Sequence, residues 1–213
     1  MAKTEHIVVF SAHSDDFVIG AGGTIAKYAQ KHKKVHAIVL SYGEKSHPWM
    51  RRAVIKSIRA KEAKRAAKVL GCTIHIFDLK EFSFLRDVTQ GVDKQLARML
   101  LRWNPAQIFT HSSEDPHPDH HASHQITMRL VHQLKRKPEV YVYSVWNPVS
   151  FRTRFPALYQ DVSTTFRKKL QALREFPSQR IHIIYPVILL FYRAVKDGIK
   201  VSGHFGEHFF RIQ

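Results

Sequence analysis

Two short runs of this chain carry imidazole beside carboxylate, and they lie more than a hundred positions apart. The first is Ala12-His13-Ser14-Asp15-Asp16, directly after the apolar run Ile7-Val8-Val9-Phe10. The second is His117-Pro118-Asp119-His120, a few residues after Ile108-Phe109-Thr110. Imidazole with carboxylate is the ligand set that a divalent cation such as zinc takes, with groups left over to activate a water. His13, Asp16 and His120 make a candidate trio. Two neutral imidazoles and one carboxylate leave a zinc ion with a net charge near +1 and vacant positions for water and substrate. A tight turn can fold His13 and Asp16 onto one ion, and His120 must then arrive from a neighbouring strand end.

Asp15 diverges from its neighbour Asp16. It suits a general base for the activated water, or else a helix N-terminal carboxylate or a partner to a ligand. His117, as a cation, could stabilise an oxyanion and protonate a leaving amine, with Asp119 holding its ring. The plainer readings are a surface histidine and a helix cap. The chain has 15 histidines, so His111, His121 and His124 read as bystanders. The single cysteine, Cys72, excludes an internal disulfide and a cysteine-based zinc site. Gly22-Gly23-Thr24 lacks the spacing of a dinucleotide fingerprint; it permits close helix–sheet packing and brings backbone N–H groups near the site.

Both runs need elements to position them. Strands are expected at 6–11, 36–41, 72–77, 107–110 and 140–143. Helices are expected at 20–31, 50–70 (stopped by Gly71), 88–103 and 120–134. Asp161-Val162-Ser163 reads as a strand end and a helix N-cap, followed by a basic helix through Phe176. The segment Gly203–Phe209 is aromatic and glycine-rich. The alternation predicts an α/β fold with a mostly parallel sheet and helices on both faces. Such sheets bind ligands beyond the carboxyl ends of their strands, where both runs fall.

The 213 residues are expected to form a single domain, 1–213. No leading apolar signal is evident, and the run Ile181–Val195 is broken by His182, Pro186 and Arg193, so no spanning helix and a reducing, cytoplasmic location are expected. The net charge of +17 is either a solvated basic surface or an attraction for phosphate on nucleic acid, lipid or substrate. Nucleic acid is not the expected partner: the chain has no recognisable nucleic-acid motif, and its basic residues are dispersed.

At these residues the chain resembles the LmbE-like, or PIG-L-like, family of metal-dependent N-acetyl-sugar deacetylases. That family's first motif reads Ala-His-Pro-Asp-Asp-Glu, followed by Gly-Gly-Thr; here Ala12-His13-Ser14-Asp15-Asp16-Phe17 precedes Gly22-Gly23-Thr24. His-Pro-Asp-His is intact at His117–His120. Arg59 and Glu62, Trp146-Asn147-Pro148, Asp161-Val162-Ser163, Ser178-Gln179 and Gly206-Glu207-x-Phe209 resemble later landmarks. The resemblance implies a Rossmann-like three-layer sandwich. It implies zinc, or another divalent ion that an His/Asp/His set accepts, on His13, Asp16 and His120. It further implies Asp15 as base, His117 as acid and oxyanion stabiliser oriented by Asp119, and Arg59 as a substrate contact or an ordering residue. The implied reaction removes acetyl from an N-acetylglucosamine-type small molecule, an anionic conjugate suiting the basic surface. Family members often assemble, so a homo-oligomer is an implied state. The rivals are an amidohydrolase of a non-sugar acylated amine, with a pocket drawn from Tyr42–Trp49, Arg59, Trp146 and Gly203–Phe209, and a basic nucleic-acid-binding protein with a vestigial site. Two departures stand out. Ser14 replaces the usual proline and loosens the turn, and Phe17 replaces the usual glutamate and removes a carboxylate beside the site.

Overall fold

The computed structural model describes residues 4–46, 49–88, 90–146, 155–179 and 187–213. Its elements run β1 (His6–Ser11), α1 (Asp16–Gln30), β2 (Lys34–Val39), α2 (Arg52–Leu70), β3 (Thr73–Ile76), α3 (Phe84–Asp87), α4 (Gln90–Trp103), β4 (Gln107–His111), α5 (Pro118–His132), β5 (Glu139–Tyr143), β6 (Ala157–Asp161), α6 (Phe166–Arg174), α7 (Val187–Ile199) and β7 (Gly206–Arg211). They form one seven-stranded sheet in the order β3-β2-β1-β4-β5-β7-β6. Strands β1 to β5 pair in parallel, and β7 pairs antiparallel with both β5 and β6.

The central strands are apolar on both faces because both faces are covered. Ile7 and Val9 pack into one core with residues of α1, α2, α6 and α7. Val8 and Phe10 pack into a second core with residues of α3, α4 and α5. This is the expected α/β sandwich. Strand order reverses between β1 and β4: the chain runs outward from β1 to β3, then returns to place β4 on the other side of β1. Val8 aligns with Ile108 and Val9 with Phe109, so the two strands end side by side. A crevice beyond their carboxyl ends is the ligand position of this architecture.

Several local expectations are corrected. Helix α1 starts at Asp16 rather than Gly20, with the Asp15 carbonyl accepting from Val18 and Ile19 N–H. It breaks at Ala21 (φ −141°, ψ 15°). The amides freed by the break, Gly23 and Thr24 N–H, donate to the Glu207 carboxylate of β7 at 3.0 and 2.8 Å, so the Gly-Gly-Thr donors serve Glu207. Close packing here is real, because a Cβ on Gly23 would meet Val162. Ser163 does not cap the basic helix; it closes a turn on Asp161 Oδ1, and α6 begins after Thr165. Gly206–Arg211 forms a strand that periodicity did not reveal. Residues 187–195 of the late apolar run belong to α7, while 181–186 lie outside the described residues, as do Asn147, Pro148, His47 and Pro48. Among the described residues no helix is long and apolar enough to cross a membrane.

Candidate metal centre and active site

The loop after β1 and the loop after β4 meet at Asp16. Asp16 Oδ2 lies 3.4 Å from His13 Nδ1 and 3.4 Å from His120 Nε2. It also accepts the His13 backbone N–H at 2.8 Å. The far nitrogen of each ring faces another carboxylate: His13 Nε2 is 3.2 Å from Asp119 Oδ2, and His120 Nδ1 is 2.9 Å from Asp115 Oδ1. An outer carboxylate that fixes a ring and leaves its other nitrogen for a cation is the usual support of a metal-binding histidine.

These donor types suit a divalent ion. Four ligands at about 2.0–2.2 Å around a tetrahedral ion stand about 3.3–3.6 Å from one another, and Asp16 Oδ2 keeps that separation from His13 Nδ1 and from His120 Nε2. Both ring nitrogens of His120 are buried without a well-formed hydrogen bond among the described residues, Nδ1 being paired with Asp115 by its 2.9 Å separation alone and Nε2 being left for a cation. Burial opposes charge on His13, yet the Asp119 and Asp16 carboxylates outweigh it and raise its pKa to about 10. Burial likewise opposes charge on His120, and Asp16 and Asp115 raise it to about 9. Burial would raise Asp16, but His120 and His111 hold it well below the usual carboxylate range. A pocket that draws protons onto two buried rings demands positive charge, which a cation supplies while leaving the rings neutral.

His111 forms one close set of donors with Asp16 and His120, and His13, His117 and His120 form the other; the expected trio of His13, Asp16 and His120 is not itself such a set among the described residues, and Asp16 and His13 meet His120 in different sets. His111 Nε2 is also 3.4 Å from Asp16 Oδ2. That nitrogen accepts the Ala12 N–H at 2.9 Å, so its lone pair is spent. Burial and His120 lower the His111 pKa to about 4, which keeps the ring neutral. Of His13, Asp16, His111 and His120, His13 is the most exposed, at 14% of its side chain.

The expected pairing of Asp119 with His117 needs correction. The Asp119 carboxylate takes His13 Nε2 on one oxygen and the Phe82 N–H at 2.7 Å on the other. His117 caps α5, its Nδ1 accepting the backbone N–H of Asp119 at 3.2 Å. At the second position of a helix, Asp119 turns its side chain across to the β1 loop instead of back along its own chain. With Nδ1 accepting, the neutral His117 ring keeps its hydrogen on Nε2. Burial, His13 and His120 lower its pKa to about 4, so the expected cation is a neutral donor.

Asp15 interacts with Asp16, Arg59 and His13. Burial, and then the Asp16 charge, raise its pKa to about 6, against the pull of Arg59 and His13. Arg59 is buried, lies among Asp15, Glu81, Glu62 and Glu44, and donates to the Tyr42 carbonyl at 3.0 Å. Gly43 (φ +73°) lets the backbone pass Arg59, where any side chain would collide with the guanidinium. Phe17 is buried in the core with its N–H on Ser11 Oγ, so the missing family glutamate is replaced by packing.

Asp115, His111 and Glu81 were missed by the sequence reading. Asp115 is fully buried and binds His120, the His117 N–H and the Val145 and Trp146 N–H groups. Its position two residues before the second histidine run was the only available signal.

Residues 8–131, which hold both loops and more than half of the chain, match the family model described as PIG-L: GlcNAc-PI de-N-acetylase. The chain is 29% identical over 189 residues to a 4-oxalmesaconate hydratase of Pseudomonas putida, covering 78% of this chain and 71% of that protein. It is 26% identical over 193 residues to a probable N-acetyl-alpha-D-glucosaminyl L-malate deacetylase 2 of Bacillus anthracis, covering 84% and 83%. Among solved structures, the 4-carboxy-2-hydroxymuconate hydratase of Pseudomonas putida superposes with a TM-score of 0.83 at 23% identity, covering 99% of this chain and 97% of that one. By the match that spans both of its histidine loops, this chain belongs to the PIG-L (LmbE-like) family.

Proposed function

We propose that this chain is a divalent-metal-dependent N-deacetylase that cleaves the acetamide of an N-acetylglucosamine-type substrate, releasing acetate and a free amine. The observation that carries this reading is the grouping of His13 Nδ1 and His120 Nε2 at 3.4 Å around Asp16 Oδ2, each ring backed by its own carboxylate. These three residues would hold zinc or a similar ion. Such an ion, when bound, polarises a carbonyl and acidifies a water.

The chain's own residues then divide the work. Asp15, poised near neutrality at about 6, takes the proton of the attacking water and returns one to the nitrogen as the C–N bond breaks. His117 offers its Nε2–H to the oxygen that gains charge. Asp119 positions His13, and Arg59 keeps the half-buried Asp15 partly ionised. Family membership and the Bacillus relative support the acetylated amino sugar as the substrate class. The basic surface suits an anionic conjugate.

A second reading is favoured by the Pseudomonas relative: the same base and cation could add water across the C=C bond of an unsaturated polycarboxylate. One experiment separates the two. Chelated protein is reloaded with zinc and given acetylated glucosamine compounds, with amine release measured, and unsaturated dicarboxylates, with loss of ultraviolet absorbance measured. Zinc-dependent amine release supports the deacetylase. Zinc-dependent absorbance loss without amine release establishes the hydratase instead.

A further inference from the structure

We infer that Gln179 and Ser14 form a positioning pair that aims the Asp15 carboxylate. The inference rests on the reading of Asp15 as the base.

Gln179 is buried at the end of the short turn Pro177–Gln179, and Ser14 is fully buried in the β1–α1 loop. One orientation of the Gln179 amide satisfies every group around it. Its oxygen accepts from Ser14 Oγ at 2.7 Å, and its nitrogen donates to the two Asp15 oxygens at 2.8 and 3.2 Å. The reverse orientation sets the amide oxygen against the half-buried Asp15 carboxylate, acceptor against acceptor. Ser14 therefore decides which end of the amide Asp15 meets: its hydroxyl hydrogen claims the oxygen and leaves the NH2 group for the base. A proline at position 14 has no hydroxyl to give, so this device belongs to the serine.

The turn itself is anchored. The Ser178 N–H and Oγ donate to the Glu62 carboxylate at 2.9 and 2.6 Å, and Glu62 lies on α2 one turn beyond Arg59. Gln179 is thus a fixed point reaching Asp15 from a third segment, independent of the two loops that bring the ligands. With two oxygens held by one amide, the carboxylate keeps a single orientation, and its remaining lone pairs stay available for a proton.

The test uses the full chain loaded with zinc and the acetylated glucosamine compound turned over best. Gln179→Leu and Ser14→Ala are each made in the native and Asp15→Asn backgrounds. In the native background, Gln179→Leu is expected to lower kcat roughly 10- to 100-fold and Ser14→Ala several-fold, because small misplacements of a catalytic group are costly. KM, the melting temperature and zinc affinity by chelator competition stay near native. In the Asp15→Asn background both effects shrink to less than about twofold, because the groups act through Asp15. Crystal structures of the zinc-loaded native and Gln179→Leu proteins add a readout free of activity, with the Asp15 carboxylate rotated in the variant. Unchanged kcat, an undiminished effect in the Asp15→Asn background, or an unmoved carboxylate overturns the inference. Full turnover by Asp15→Asn alone overturns the base assignment instead, and the crystal comparison then decides on the positioning.

Discussion

Asp16 Oδ2 stands 3.4 Å from a nitrogen of each of three histidines, and what separates them is the other contacts of each ring. His13 and His120 each meet a second carboxylate on their other nitrogen, whereas the near nitrogen of His111 is already bonded to a backbone amide. Asp115→Asn, which removes that support from His120, should lower zinc affinity roughly 10- to 100-fold in a chelator titration. Asp15→Asn should leave zinc affinity near native and lower amine release by roughly 10²-fold or more. Full turnover by that variant would overturn the base assignment. Residue type and strand-end position led to the candidate trio, while the close donor sets divide it, Asp16 with His111 and His120 and His13 with His117 and His120. The partner of Asp119 was not legible, since spacing along the chain does not say which way a side chain in the first turn of a helix points. His111 was passed over among many histidines; its role depends on the Ala12 amide just after β1, which no local pattern encodes.

At the scale of elements, the break in α1 is stabilised from β7. Glu207 satisfies two freed amides, and Lys169 of α6 lies 2.7 Å from the same carboxylate in a buried pair. Removing one partner leaves an uncompensated buried charge, so Glu207→Ala should cost about 3–5 kcal/mol in denaturant unfolding, and Lys169→Met should cost a similar amount. A double variant, Glu207→Gln with Lys169→Met, should recover much of that loss, and its failure to do so would assign the cost to the amides instead. Of the five parallel strands, β1, β2, β4 and β5 were readable because their buried runs are continuous, while β3 at the sheet edge is only partly buried and was marked by its β-branched residues and the Gly71 stop before it. Strand β7 was not readable, because a buried glutamate and a half-buried histidine interrupt its apolar pattern, and its place in the sheet depends on pairing with β5 and β6.

For the whole molecule, the sheet has two chemically distinct ends. Opposite the metal centre, His36 of β2 stacks on Trp103 with ring centroids 3.8 Å apart, beside His6 of β1 and His75 of β3. Burial, then His6, His75 and Lys34, lower the His36 pKa to about 4. The fold thus favours the neutral ring. Its contribution is complete above the unfolded value of about 6.5 and is lost as pH falls from there through 4. The melting temperature should drop over that window, and the drop should be shallower in His36→Phe. An identical slope would place the loss elsewhere. Adding zinc should raise the melting temperature, since an ion about a thousandfold above its dissociation constant adds about 4 kcal/mol. The order of the strands carries one more consequence. His13 and Asp16 precede β2, and His120 follows β4. A cut between α3 and α4 would give each fragment only part of the ion's cage, so zinc would then act as a mortar between two pieces, and tight capture of the ion would report that they had found each other.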